Sequence, residues 1–323
     1  MTNAQNPAIF AVVGPTASGK TALAVELAKR CGGEIVCCDS MQLYRGMDIG
    51  TAKPTAAERQ GVPHHLFDVL LPEENCSVND YVKMANDAVS DIVSRGKLPI
   101  LCGGTGLYLD AFLRGGDMET PPPSPEMHAE LSAFAEREGE EALHARLAAA
   151  DAESAAVIHP HNRRRVIRAL EIYLSTGVPK SEWDRRSLDF PPRYKAAVVG
   201  LFWQNRDLLY ARIERRVEEM LAAGLEEETR RLAAAGVFRR SATAAAAIGY
   251  KELLPYLDGR LTREAAIEDL KTATRRYAKR QITWFSAKPY VRRMFVDDGK
   301  RVRNFEEIVN TALSLCASDE NMV

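Results

Sequence analysis

The sequence predicts an α/β protein: a doubly wound parallel sheet carrying a phosphate-binding loop (P-loop), interrupted by a mostly helical insertion. Three observations carry this expectation. Apolar runs of strand length alternate with helical stretches through the N-terminal third. One of those runs leads straight into GPTASGKT at 14–21. Breaks rich in glycine and proline then bracket a strand-free stretch before a further apolar strand returns.

The elements follow in order. Ala8 to Val13 is a continuous apolar run, as expected of a strand buried on both faces. GPTASGKT fits G-x-x-x-x-G-K-[ST], whose backbone N–H groups cradle phosphates. Gly14 and Gly19 let the chain wrap an anion, with Pro15, Thr16, Ala17 and Ser18 as the body of the loop. Lys20 supplies positive charge and Thr21 a hydroxyl suited to Mg²⁺. A helix from Thr21 to Arg30 ends at Gly32-Gly33, so the loop sits at a helix N-terminus that favours anions. Glu34 to Cys38 reads as a second strand ending at Asp39. Ser77-Val78-Asn79-Asp80 reads as a capping box for a helix that ends near Gly96. Leu98 to Cys102 is a third strand, running into Gly103-Gly104-Thr105-Gly106. In a parallel sheet ligands bind beyond the carboxyl ends of strands, where Asp39 and Thr105 join the loop on one rim.

Gly115-Gly116, Pro121-Pro122-Pro123 and Pro125 mark a first boundary, and Pro191-Pro192 a second. Between them, from Glu126 to about Arg186, the chain reads as short helices. Ala196 to Phe202 is again a sheet strand, and helices dominate from Arg206 onward. The expected organisation is a core of 1–117 and 191–323, with a helical C-terminal part, and an insertion at 118–190.

Composition narrows the function classes. A chain of 323 residues with 46% hydrophobic and 27% charged residues suits a globular protein. The formal net charge of −1 supplies no global field for nucleic acid, so any such site is a local patch. No run is long enough to span a membrane, and the early apolar run is only a strand long, so no membrane or secretory segment is expected. None of the six cysteines forms a C-x-x-C pair, so they are expected to be reduced and structural, in a cytoplasmic protein without a zinc site. His64 and His65 are adjacent and point apart, which assigns them to structure rather than to a metal.

Several side chains are candidates for chemistry. Asp39 reads as a metal-organising carboxylate, a general base, or a turn aspartate. Thr105 reads either as a ligand contact in a glycine-flanked turn or as a turn residue. Arg212 and Arg216 are four apart on one helix face and can clamp a diphosphate. With Glu218 and Glu219 nearby, the residues alone favour a solvated face slightly. Arg163, Arg164, Arg165 and Arg168 form one basic cluster. Lys271, Arg275, Arg276, Lys279 and Arg280 form another, with no acidic residue between 271 and 280 and with Tyr277, Trp284 and Phe285 interleaved or close. Arg275/Lys279 and Arg276/Arg280 are like-charge i,i+4 pairs, understandable if an anion sits against them. Cations plus aromatics suit RNA, and a solvated helix is the competing reading.

Across nearly its full length the chain resembles the bacterial tRNA dimethylallyltransferases, also called tRNA isopentenyltransferases. The matching segments are GPTASGKTALA (14–24), DSMQLYRGMDIGTAKP (39–54), GGTGLYLDA (103–111), RRRVIRALEIYLSTGVPKS (163–181), RIERRVEEMLAAGLEEE (212–228), IGYKEL (248–253) and TRRYAKRQITWF (274–285). Only the first contains a general motif; their order and number make the resemblance specific. It implies transfer of a dimethylallyl group from dimethylallyl diphosphate to N6 of the adenosine 3′-adjacent to the anticodon, in tRNAs reading codons that begin with U, with Mg²⁺ as cofactor. It implies that Lys20, the loop and Arg216, supported by Arg212, hold the diphosphate. It implies that Asp39 orients the amine and takes its proton, and that Thr105 lies near the acceptor. It implies tRNA contacts from Asp39, Ser40, Met41, Gln42 and Thr105, from Arg163 through Arg168 including Val166 and Ile167, and from Arg276, Tyr277, Lys279, Arg280, Gln281 and Trp284. In the family the helical insertion closes on the anticodon arm. Ala246 stands where family members often have Gln, and an alanine offers RNA no side-chain hydrogen bond. A monomer is the default expectation.

Two other readings compete. The loop alone suits a nucleotide or small-molecule kinase, which the basic clusters weaken. A non-catalytic NTP-binding regulator that holds RNA is weakened by the strand-end Asp39 and the paired arginines.

Overall fold

A computed structural model of the chain describes residues 7–114, 121–122, 124–187 and 191–317. Gly115, Gly116 and Pro123 of the first boundary signal, and positions 117, 118 and 190 of the expected domain limits, lie outside the described residues.

The described residues divide into two compact units, one within 1–113 and 194–323 and the other within 114–193. The first is built on a six-stranded, all-parallel sheet: β1 Ala8–Val13, β2 Gly33–Cys37, β3 His64–His65, β4 Leu98–Gly103, β5 Lys195–Phe202 and β6 Val291–Phe295. The strand order is β3-β2-β4-β1-β5-β6, which places β1 at the centre. Val13 lies level with Gly103 on one side and Gly200 on the other, so the chain leaves these strands at one rim.

The apolar runs follow from burial on both faces. Phe10 and Val12 pack with Leu23, Leu27, Ile100, Val199 and Ile213 on one face. Ile9, Ala11 and Val13 pack with Tyr81, Val89, Leu101, Leu109 and Val198 on the other. Burying each such large side chain contributes roughly 1.5–3 kcal/mol. The expected capping box opens the Val78–Ser94 helix: Asp80 N–H donates to Ser77 Oγ (3.1 Å) and Ser77 N–H to Asp80 Oδ2 (2.9 Å).

Two strands were absent from the sequence expectation. In β3, His65 Nε2 lies 2.7 Å from Glu34 Oε2 while His64 Nδ1 lies 2.7 Å from Val62 O, so the two rings have separate partners. In β6, Val291 and Met294 are buried, but Arg292 and Arg293 between them hide the apolar pattern.

The second unit contains the helices Pro125–Glu138, Glu140–Ala150, Ala152–Val157, Arg163–Thr176 and Lys180–Arg186, and no strand among its described residues. Its core joins Leu131, Leu143, Leu147, Val166, Ile167 and Leu170. No described helix is long and apolar enough to cross a membrane.

Candidate active site

The site is built on the rim beyond β1, β2 and β4. Gly14 leaves β1 at φ 141°, and a Cβ there would lie 2.7 Å from the Leu201 carbonyl oxygen, so this start of the loop requires glycine. Ala17 takes a left-handed conformation at φ 61°, unusual for a side-chain-bearing residue and typical of functional turns. Gly19, at φ 91°, caps the Lys20–Cys31 helix without a side-chain bond, leaving the first N–H groups for a ligand. The Ser18 hydroxyl is buried and has no hydrogen-bond partner, an orphan that an oxyanion would satisfy.

Cations surround this cradle. Lys20 Nζ donates to Pro15 O at 2.7 Å, folding the amine over the loop. Burial, reinforced by Arg216, lowers its pKa to about 8, against the opposing pull of Cys102 and Asp39. From the Arg206–Ala222 helix, Arg212 Nε donates to Ala17 O at 2.9 Å, its guanidinium 5.7 Å from the Trp203 ring centre. One turn on, Arg216 Nη2 reaches Ala52 O at 3.5 Å. Both arginines therefore reach backbone carbonyls of the site, Arg216 half-buried and Arg212 still exposed to solvent, so the solvated face that the residues alone slightly favoured does not hold for Arg216. Trp203 gave no signal in the sequence beyond its place after a strand.

Asp39 follows β2. Its Oδ1 accepts the Met41 N–H at 3.0 Å, the mark of an Asx turn. Burial raises its pKa, opposed by that N–H and by the charges of Lys20 and Arg216. Carboxylate, amine and guanidinium thus feel one another. Thr105 N–H donates to Cys38 O (3.1 Å), and its hydroxyl accepts the Ser40 N–H (3.0 Å) and donates to Ser40 Oγ (3.3 Å). The turns after β2 and β4 are so close that a Cβ on Gly103 would lie 2.0 Å from Cys38 O. Tyr277 stands beside Thr105, and burial, with the charge of Asp39, pushes its phenol up.

A third loop completes this edge. Buried Glu228 accepts N–H groups from Asp48 (3.1 Å), Ile49 (3.0 Å) and Gly50 (3.0 Å) and the Tyr250 hydroxyl (2.8 Å). Gln42 Nε2 donates to Thr51 O (2.9 Å) and Ala52 O (3.1 Å), so the carbonyl that receives Arg216 is held from both sides. Sequence reasoning did not single out Glu228 or Tyr250, although both lie in the matching segments 212–228 and 248–253, because the N–H groups of Asp48, Ile49 and Gly50 that Glu228 accepts are distant in the chain.

Among the expected RNA contacts, Arg276, Lys279 and Arg280 are exposed on the Arg263–Ser286 helix, with Arg280 over the Tyr277 ring. Arg275 is instead bound by Glu214 (2.9 Å) and Glu268 (2.8 Å), and Lys271 by Glu218 (3.0 Å). Arg164 and Arg165 are exposed in the second unit, whereas Arg163 is engaged by Glu136 and Ser132 O and Arg168 by Glu171.

Three expectations, for Val166, Ile167 and Gln281, are corrected by burial. Val166 and Ile167 are 0% and 2% exposed, on the helix face that forms the core of their unit, so their side chains do not meet RNA. Gln42 is half-buried, with its amide N–H groups on the Thr51–Ala52 turn. Gln281 is 4% exposed, with both ends of its amide bonded to backbone. Trp284 is half-buried and packs against the Gly106 turn, where an added Cβ would lie 2.2 Å from its ring.

For Mg²⁺ the expected donor, the Thr21 hydroxyl, stands in the first turn of the Lys20–Cys31 helix and is an oxygen, the donor type that suits a hard divalent ion. The described residues hold no group of three or more His, Cys, Asp or Glu able to bind a metal. The fit is therefore to an ion that takes most of its ligands from phosphate and water.

The sequence model of the IPP transferase family matches residues 42–288. A tRNA dimethylallyltransferase of Geobacillus kaustophilus is 48% identical over 305 residues, 93% of this chain and 94% of that protein. One of Bacillus subtilis is 47% identical over 294 residues, 90% and 91% of the two chains. The crystal structure of the tRNA isopentenylpyrophosphate transferase of Bacillus halodurans superposes with a TM-score of 0.68 at 44% identity, covering 96% of this chain and 97% of that one. A eukaryotic dimethylallyltransferase, solved acting on tRNA, gives a TM-score of 0.77 at 29% identity, covering 90% and 74%. By that match and those identities, this chain belongs to the IPP transferase family, that of the tRNA dimethylallyltransferases.

Proposed function

We propose that this enzyme transfers the dimethylallyl group of dimethylallyl diphosphate to N6 of the adenosine 3′-adjacent to the anticodon, in tRNAs reading codons that begin with U. The observation that carries the reading is the meeting, on one sheet rim, of a phosphate cradle, two cations and a carboxylate that feels both. A cradle alone suits any phosphate. A carboxylate beside it suits a reaction in which phosphate leaves and a nucleophile loses a proton.

The roles follow from the charges. The loop N–H groups, the Ser18 hydroxyl, Lys20 and Arg216, with Arg212 in support, bind the diphosphate and absorb the charge that builds as the C–O bond breaks. Thr21 would hold Mg²⁺, which would supply further positive charge to the leaving diphosphate. The N6 amine attacks the allylic carbon, and Asp39 orients it and accepts its proton as the C–N bond forms. Thr105, anchored to Ser40, lines the acceptor side beside Tyr277. The adenosine leaves its stack to reach the rim, at a cost of roughly a few kcal/mol. Exposed Arg276, Lys279 and Arg280 on the core, and Arg164 and Arg165 on the insertion, contact phosphates.

The test is incubation with Mg²⁺, labelled dimethylallyl diphosphate and an unmodified anticodon stem-loop. The expected result is label in RNA at a single adenosine. ATP turnover with no label in RNA refutes prenyl transfer in favour of a kinase. RNA binding with neither activity points to a non-catalytic regulator.

A further inference from the structure

The second basic cluster lies on the Arg263–Ser286 helix, and Gln281 follows directly after its exposed Lys279 and Arg280. By sequence position it is an RNA contact. By helical phase it is not. Ala278, Gln281 and Phe285 recur at three- and four-residue spacing and are 0%, 4% and 1% exposed, a stripe facing the protein interior.

A primary amide in such a stripe is costly unless both of its ends are satisfied. Gln281 Oε1 accepts the Thr16 N–H at 2.8 Å, and its Nε2 donates to Gly104 O at 3.0 Å. The orientation is dictated, because one partner is a donor and the other an acceptor. Thr16 belongs to the diphosphate cradle, and Gly104 immediately precedes Thr105 in the acceptor turn. A Cβ on Gly104 would lie 2.0 Å from Nε2, so that turn is built around the amide.

We infer that Gln281 is a positioning residue: a strut that sets the distance between the diphosphate loop and the acceptor turn, without touching RNA. The inference rests on the prenyl-transfer reading and deepens it, since an in-line displacement needs donor carbon and acceptor nitrogen held to a fraction of an ångström. A misplacement on the order of 1 Å costs about 10²-fold in rate.

The test separates strut from RNA contact. Gln281→Ala should lower kcat about 10²-fold while the stem-loop Kd and its salt slope stay within about twofold. Gln281→Glu covers the case in which the alanine variant fails to fold. It keeps the shape and the acceptor for Thr16 but sets a carboxylate oxygen against Gly104 O, and should show the same split. A double-mutant cycle adds a readout peculiar to the strut. Gly104→Ala should be severe in the parent enzyme, where it displaces the amide, and nearly silent in Gln281→Ala, where the clash is gone. Losses that multiply independently, an unchanged kcat, or weakened stem-loop binding with kcat spared would each overturn the inference. If the parent enzyme transfers no label, the functional reading fails separately. The strut then stands or falls on inorganic diphosphate, whose Kd should rise about tenfold in Gln281→Glu while stem-loop binding holds; an unchanged diphosphate Kd refutes it.

Discussion

Lys20 should give the enzyme an alkaline limit in donor binding. Lys20 is half-buried as a residue, and burial of its amine together with Arg216 lowers its pKa from 10.5 to about 8. The protonated amine is the form that binds diphosphate. In the free enzyme about half of the molecules carry it at pH 8, about a tenth at pH 9 and about a hundredth at pH 10. Donor kcat/KM should therefore fall about tenfold per pH unit above about pH 8, since this ratio reports the free enzyme's groups. The linkage has a defined sign. Between about pH 8 and 10.5 the unfolded chain binds more protons at Lys20 than the ligand-free fold, so this residue makes the fold more stable as pH rises through that window. Diphosphate favours the charged amine, so its binding should take up close to one proton near pH 9. The assay is initial-rate transfer of labelled dimethylallyl diphosphate to a stem-loop from about pH 6.5 to 9.5 at constant ionic strength, with calorimetry of diphosphate in two buffers of different ionisation enthalpy. Lys20→Arg should lack the limb, because its guanidinium stays charged. Lys20→Ala should lose about 10²–10³ in turnover and also lack the limb. A profile flat to pH 9, or a limb that persists in Lys20→Arg, would refute this assignment.

Three further outcomes test the rest of the site. Asp39→Asn should reduce transfer about 10²–10⁴-fold with stem-loop affinity nearly unchanged, and should remove the acid limb that the raised carboxyl of Asp39 gives the parent; unaltered turnover in a rapid-quench assay excludes it as the base. Replacing Arg276 and Arg280 by alanine should flatten the salt dependence of stem-loop binding by roughly two phosphate contacts, and an unchanged slope would return this helix face to solvent. Glu228→Gln leaves one oxygen for donors from Asp48, Ile49, Gly50 and Tyr250, so urea unfolding should register a loss of about 2–5 kcal/mol, and the KM for dimethylallyl diphosphate should rise as the loop that receives Arg216 loosens; a loss under about 1 kcal/mol would mean the loop holds without that carboxylate.

Features whose causes lie within a few residues were determined by the sequence itself. The apolar runs of β1, β2, β4 and β5 signal burial on both faces wherever they occur. GPTASGKT needs only its own glycines, lysine and hydroxyl to make a cradle, and the Ser77–Asp80 box needs only a reach of three residues. Only the tertiary structure decided the functions that depend on distant partners. The Lys271–Arg280 segment contains no acid, yet Glu214 and Glu218 from another helix neutralise Arg275 and Lys271, leaving Arg276, Lys279 and Arg280 as its exposed cations. The short β3 and the arginine-interrupted β6 become strands because β2 and β5 offer them edges. Gln281 looks like its basic neighbours in sequence, but its partner at Thr16 is 265 positions away. Hydrogen bonding and burial are set by what the fold brings alongside a residue, and a one-dimensional pattern carries that information only when the partner is near in the chain.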